Sequence, residues 1–264
     1  MLIDIGANLT HESFEPDFDE VLARAHQAGV AQLVVTGASA EGSVEAAKLA
    51  ERHETLYATA GIHPHHAAET TASVLSQLRD LLTLERVKAV GETGLDFFRD
   101  ISPRPIQEKS FEQHIELAIE TGLPMFLHER DAYPRFAEIL HAYRDDLGPV
   151  VVHCFTGEKP ALYAYLDLDC HIGITGWICD ERRGTHLLEL VPAIPANRLM
   201  IETDSPYLMP RNMQPKPKTR RNEPANLTWV CETVARCRHE SDEQLAAATT
   251  ATARAFFGLP DTTE

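Results

Sequence analysis

Eight short apolar runs, rich in β-branched residues, alternate along this chain with stretches of helical period. That alternation constrains the fold more than any other feature of the sequence. The runs are LIDIG (2–6), AQLVVT (31–36), LYATAG (56–61), VKAVG (87–91), PMFLH (124–128), PVVVHC (149–154), CHIGIT (170–175) and LMIET (199–203). They are almost continuously apolar, the pattern of parallel strands buried on both faces. Helix punctuation falls between them. Pro16 and Asp17 open a stretch with apolar Val21, Leu22, Ala25 and Ala28 that stops at Gly29. Thr70 or Thr71 is placed to cap a helix over 74–84, and Pro105 opens one carrying Phe111–Ile119 that stops at Gly122. Two more helices are expected, one after Leu227 and one near Gln244–Phe257. No Ser- or Gly-rich linker interrupts the series. The pattern predicts an α/β fold, a closed (β/α)8 TIM barrel spanning 1–264 as a single domain. An open doubly wound sheet fits less well, because no G-x-G-x-x-G follows the first run.

Composition removes several classes of function. Hydrophobic residues make up 44% and charged residues 24%, enough for a large core and against disorder as the main state. No apolar run approaches the ~18 residues a membrane helix needs, so no membrane association is expected. Met1 leads directly into an apolar strand without a basic segment, so no targeting peptide is predicted. The 5 cysteines are odd in number and form no C-x-x-C, which argues against a disulfide scaffold or a Cys-type zinc site. A reducing cytoplasm is the expected location. The net charge of −16 opposes general coating of nucleic acid. Any nucleic-acid role must come from a local basic patch or a metal ion.

In a barrel of this type the chemistry lies at the C-terminal ends of the strands. Those positions read Asn8, Gly37, His63, Glu92, His128, His153, Gly176 and Asp204. The mixture of imidazole and carboxylate suits a divalent ion such as Zn²⁺, Mn²⁺, Fe²⁺ or Mg²⁺. Asp204 is suited to accept a proton from a nucleophilic water or to orient it. His63 and His65 flank Pro64, which stiffens their loop, and are suited to hold a phosphate or protonate a leaving oxygen. Asp96 and Glu202 are candidates for orienting ligands: Asp96 follows Glu92 by four residues, and Glu202 shares a strand face with Asp204. The cluster KPKTRR (216–221), with Arg220 and Arg221 at its end, and the pair Arg182 and Arg183 are expected to contact phosphates. Phe97, Phe98, Trp177 and Tyr207 are candidates for stacking on unpaired bases.

The strings GIHPH (61–65), GETGLDF (91–97), FLHERDA (126–132), VVHCFTG (151–157), HIGITGWICDERRG (171–184), IETDSPYL (201–208) and RRNEPANL (220–227), with IGANLT (5–10), span nearly the whole chain. Together they resemble the motifs of the TatD family of metal-dependent nucleases, and its TatD-proper subgroup, within the amidohydrolase-like barrels. The resemblance implies a barrel of the metal-dependent hydrolase type. It also implies a divalent-metal 3′-5′ exodeoxyribonuclease acting on single-stranded DNA, possible action on RNA, and a role in DNA repair or degradation. By match of motif, Glu92, His128, His153 and Asp204 are the expected metal ligands. The catalytic groups expected are Asp204 and His63, with His65, Arg220 and Arg221 on the substrate and Asp96 and Glu202 behind the ligands.

Mg²⁺ is the expected ion, with Mn²⁺ and Zn²⁺ compatible. Ends of single-stranded DNA or RNA are the expected partners of a monomer. The same residues would serve a metal-dependent ester or amide hydrolase, such as an aminoacyl-tRNA deacylase, but the basic segments favour phosphate. One departure stands out. Most relatives carry H-x-H at the end of strand one, where this chain has Gly6-Ala7-Asn8. One tightly held ion, with a second held loosely or brought by substrate, is therefore expected.

Overall fold

The structure, a computed structural model, describes residues 1–261. Its strands are β1 (Leu2–Ala7), β2 (Val30–Val35), β3 (Leu56–Ala60), β4 (Val87–Asp96), β5 (Met125–Arg130), β6 (Val150–Val152), β7 (His171–Ile174) and β8 (Leu199–Ile201). They form one sheet in the order β1 to β8, the (β/α)8 barrel that the sequence predicts. The helices are α1 (Phe18–Gln27), α2 (Ala40–Arg52), α3 (Ala72–Leu81), α4 (Arg104–Thr121), α5 (Tyr133–Tyr143), α6 (Lys159–Asp167), α7 (Thr185–Leu190), α8 (Leu227–Arg238) and α9 (Asp242–Phe257). The chain divides into two compact units. One comprises Val35–His153 with Gly157–His171; the other comprises Met1–Val34, Cys154–Thr156 and the chain from Ile172 onward.

In the unit containing β3 to β6, the strands pair in parallel and their residues are buried almost throughout. The helix starts are set by side chains that satisfy free N–H groups. Ser39 accepts from Gly42 N at 3.0 Å before α2, and Thr71 accepts from Val74 N at 3.3 Å before α3. Gly122 ends α4 in the left-handed conformation, φ 71°, as its place after the apolar stretch predicts. The helix opened by Pro105 begins at Arg104 and runs well before Phe111. One face of α4 is polar where a plain barrel helix would be apolar: Gln107, Ser110 and His114 are all buried.

β4 is longer than its apolar run, because it continues through GETGLD to Asp96. The pairing of β4 with β5 shifts register between Val90 and Thr93. Gly91 and Gly94 bracket that irregularity at φ 143° and 139°. A Cβ at Gly91 would lie 2.0 Å from the Phe126 carbonyl oxygen, and one at Gly94 2.0 Å from that of His128. Only glycine permits both this backbone and this approach.

In the unit containing β1, β7 and β8, the last two strands pair in parallel. β8 ends at Ile201, two residues earlier than its apolar run suggests, and an isolated bridge joins Ala7 to Ser205. Pro16 lies in a 3-10 turn over Glu12–Asp17 ahead of α1. Ser241 and Gln244 form a reciprocal capping box at the start of α9, and Gly258 closes that helix at φ 60°. Among the described residues no helix is long and apolar enough to cross a membrane.

Candidate active site

The unit of β3 to β6 gathers four of the predicted histidines around two carboxylates. Glu92 lies inside β4 rather than at its end, at the register shift between the two glycines. Three ring nitrogens converge on its Oε1: His153 Nε2 at 2.7 Å, His128 Nδ1 at 3.2 Å and His63 Nε2 at 3.4 Å. His128 lies within β5, paired with Gly94, so it stands between Glu92 and Asp96 on the neighbouring strand. Its Nε2 is 3.3 Å from Asp96 Oδ2, and the same oxygen is 2.8 Å from His65 Nε2. Asp96, whose Gly-Leu-Asp string resembles a turn, is a buried strand residue.

Electrostatics follow from this packing. Burial alone would raise the pKa of Glu92, but His63, His153 and His128 outweigh it and hold the carboxyl well below its usual range. Asp96 is likewise held low against burial, by hydrogen bonds from His128 and His65 and from the Arg99 backbone. Burial works against a charge on His128, yet its bonds to Asp96 and Glu92 raise its pKa. His128 thus bridges two buried carboxylates through its two ring nitrogens, and their combined charge suits a divalent cation.

His63 differs from the other two. Its Nδ1 accepts the backbone N–H of His65 at 3.1 Å, as the N-cap of the 3-10 turn Pro64–Glu69. A backbone N–H always donates, so Nδ1 is unprotonated and the neutral ring carries its proton on Nε2. Burial holds His63 neutral, with its pKa well below the ordinary value. The ligating atoms of His63, Glu92 and His128 lie within 4.8 Å of one another, close enough to share an ion. The Nε2 proton nevertheless makes His63 a hydrogen-bond donor in this arrangement. The nitrogen and oxygen donors of Glu92, His128 and His153 fit a divalent metal, with Asp96 holding the far nitrogen of His128.

Two residues on α4 support the cluster, and the sequence reading passed over both. Gln107 Oε1 accepts from Asp96 N at 2.8 Å while its Nε2 donates to Asp96 O at 3.1 Å, fixing the end of β4. His114 Nε2 accepts from Ile62 N at 3.0 Å and its Nδ1 donates to Ser110 O at 2.7 Å, fixing the residue before His63. The signal for both was the buried polar stripe, visible in sequence as Gln107, Ser110 and His114 at helical spacing.

The other unit holds Asp204, Glu202, Arg220 and Arg221, while Phe97 and Phe98 lie in the unit of β3 to β6. Asp204 follows β8 in a left-handed conformation, φ 51°. Its N–H donates to Gly6 O at 2.8 Å, and Asn8 Nδ2 donates to its Oδ1 at 2.9 Å. Asn8 therefore orients Asp204. Glu202 does not alternate with Asp204 along a strand, because β8 has already ended. It is fully buried and accepts the Cys154 N–H at 2.6 Å, holding the residue that follows His153 in the chain. Beneath them, buried Asp4 accepts from Thr203 N at 2.9 Å and from the Thr203 hydroxyl at 2.5 Å. Desolvation raises the Asp4 pKa to about 7 despite these bonds.

The two arginines of RRNEPANL part company. Arg220 lines a cavity with Lys216, Arg182 and Arg183. Arg221 is engaged elsewhere: Nη1 and Nη2 reach Asp17 at 2.6 and 2.7 Å, and Nη1 also donates to Ser13 O at 2.5 Å. Arg24 bonds both Asp17 and Glu223 beside it, completing an ion-pair network on α1.

The sequence profile of the TatD related DNase family matches residues 3–258. A protein of Pantoea ananatis named 3′-5′ ssDNA/RNA exonuclease TatD is 48% identical over 98% of this chain and 100% of its own length. One of the same name from Rahnella sp. is 49% identical over 98% of each chain. The crystal structure of a TatD homologue from Escherichia coli, YJJV, superposes with a TM-score of 0.89 at 29% identity, covering 98% of both chains. That of a TatD family hydrolase from Entamoeba histolytica gives 0.86 at 26% identity, covering 97% of both. With its barrel, its convergent histidines and carboxylates and this end-to-end similarity, the chain belongs to the TatD related DNase family.

Proposed function

We propose that the chain is a metal-dependent 3′-5′ exonuclease that hydrolyses phosphodiester bonds of single-stranded DNA or RNA. One observation carries the reading: three imidazole nitrogens converge on one oxygen of buried Glu92 in a chain of this family. Glu92, His128 and His153 would hold the ion, with Asp204 proposed as a further ligand and as the group that accepts the proton of the attacking water. When bound, a divalent cation supplies Lewis-acid polarisation of the phosphate and offsets the charge that builds in the transition state. The Nε2 proton of His63 is offered to a phosphoryl oxygen or to the departing sugar oxygen. His65 is positioned by Asp96 to contact the same phosphate. Glu202 keeps the backbone after His153 in place. Arg220 contacts backbone phosphate, and Arg221 anchors the loop that carries Arg220.

Mg²⁺ is the ion proposed for function, and an imidazole-rich donor set also suits Mn²⁺ or Zn²⁺. The proposal takes residues 1–264 as one barrel domain and the chain as a monomer in a reducing cytoplasm, where five cysteines held as thiols are at home. It also assigns a role in DNA repair or degradation, which removal of unpaired 3′ ends would serve. The test is a time course on single-stranded and duplex DNA labelled at either end, with Mg²⁺, with chelator, and beside an aminoacyl ester substrate. Metal-dependent shortening of single strands from the 3′ end is expected. Ester cleavage without strand shortening would overturn the reading.

A further inference from the structure

After β7 and β8 lies a cavity of about 570 Å³, inside the ~300–1,000 Å³ range of ligand pockets. Its walls combine four arginines, Arg182, Arg183, Arg211 and Arg220, with Lys216 and the indole of Trp177. Asp180 is the one carboxylate of that lining. Its side chain is 4% exposed. It takes Arg182 Nη2 at 3.0 Å and Arg183 Nε at 2.9 Å, and those arginine side chains remain 57% and 53% exposed. Glu181 pairs with Arg211 at 2.9 Å. The side chains of Lys216 and Arg220 have no ion-pair partner among the described residues. Cations therefore outnumber carboxylates in a chain whose net charge is −16.

Screening makes that local excess decisive, because the Debye length is ~10 Å at 0.1 M salt. A polyanion is repelled by the protein at long range and attracted within the cavity. The aromatic component is specific too. The guanidinium carbon of Arg183 sits 4.2 Å from the Trp177 ring centroid, and the indole N–H donates to Arg183 O at 3.3 Å. Gly184 permits the fold-back, since a Cβ there would lie 1.9 Å from the Trp177 carbonyl oxygen. A fixed arginine–tryptophan pair offers a π surface that any base can use without sequence preference.

We propose that this cavity, whose lining shares no residue with the proposed metal ligands, is a strand-holding site that binds phosphates and one base of single-stranded nucleic acid. The proposal rests on the nuclease reading. It makes affinity depend on strand length: an oligomer that reaches the cavity gains contacts that a dinucleotide lacks.

The test measures Kd by fluorescence anisotropy, with Mg²⁺ present, for a phosphorothioate dinucleotide and dodecamer of thymidine. The wild type should bind the dodecamer at least ~10-fold tighter. Arg183→Ser with Lys216→Ser should remove most of that ratio and reduce the salt slope of log Kd by about 1.4, since each single-strand phosphate contact contributes ~0.7. Arg183→Lys with Lys216→Arg should keep the slope, and an unchanged thermal midpoint shows that the Ser variant is folded. A length-independent Kd in the wild type, or a wild-type slope in the folded Ser variant, overturns the cavity. Failure of the wild type to cleave ordinary single strands overturns the nuclease reading instead.

Discussion

His63 Nδ1 accepts the His65 backbone N–H at 3.1 Å, so the proton of the neutral ring points from Nε2 toward Glu92 Oε1, 3.4 Å away. A histidine fixed in that tautomer donates a hydrogen bond more readily than it binds a cation. His63→Ala should lower the rate by about 10²-fold, the scale of a lost proton or hydrogen-bond donor. Its metal content, measured on the purified protein, should match the wild type. A parallel loss of bound metal would make His63 a ligand.

Glu92→Ala and His153→Ala should behave differently. Each removes a donor from the point where the ring nitrogens converge, and each should cost at least ~100-fold in rate together with bound metal. Circular dichroism melts separate this from unfolding. A variant that keeps the fold, the metal and the rate would remove its residue from the site.

The sequence made the barrel legible because its strands are continuous apolar runs, and the site legible because strand ends carry chemistry in this fold. The apolar run ends at Gly91, whereas Glu92 lies inside β4, for a local reason. β4 continues through two glycines, residues that normally weaken a strand, because Phe126 and His128 carbonyls leave no room for a Cβ. Glu202 was assigned to the right region with the wrong neighbour, since β8 stops at Ile201 and the chain turns left-handed at Asp204. The helical spacing of Gln107, Ser110 and His114 marks a polar stripe, but what the stripe touches depends on contacts of α4 with Asp96 and Ile62. Arg220 and Arg221 are adjacent and identical in type; only the fold reveals that Asp17 captures one of them.

That capture separates two substitutions that sequence alone would pool. Arg220→Ala should weaken single-strand binding and reduce the salt slope by about 0.7, with no change in melting temperature. Arg221→Ala breaks bonds to Asp17 and Ser13 and should cost about 1 kcal/mol of stability, the upper end for a partly exposed ion pair. Urea unfolding measures the second effect. Equal stability of the two variants would mean that the Asp17 network is not an anchor.

His114 predicts an acid limit. Burial lowers its pKa to about 4 against the opposing bond to Ser110 O, and in the neutral ring Nε2 accepts from Ile62 N. The folded state therefore excludes a proton that the unfolded chain binds near pH 6.5. Stability from this residue is complete above pH 6.5 and is lost as pH falls toward about 4, by about 3 kcal/mol in all. Urea denaturation at stepped pH should show a shallower decline across that window in His114→Gln than in wild type. Parallel curves would mean that His114 is already charged in the fold.

The last prediction concerns strand one, where the motif resemblance leads one to expect H-x-H and this chain has Gly6 and Asn8. Both residues bond Asp204: Gly6 O accepts its N–H at 2.8 Å, and Asn8 Nδ2 donates to its Oδ1 at 2.9 Å. Asn8 thus supplies by a neutral hydrogen bond the orientation that a shared ion would supply by charge. Replacing both, Gly6→His with Asn8→His, removes that bond and places two imidazoles at the end of β1, at the two residues that contact Asp204. Imidazole favours Zn²⁺ and Mn²⁺ over Mg²⁺. The folded variant should therefore carry more Zn²⁺ or Mn²⁺ per chain than wild type, measured by elemental analysis after dialysis. Asn8→Ala is the control: it frees Asp204 without adding a donor and should gain no metal. Unchanged stoichiometry in the double-histidine variant, with an intact melting transition, would show that these positions do not face an ion site and that the departure at Gly6 and Asn8 has another cause.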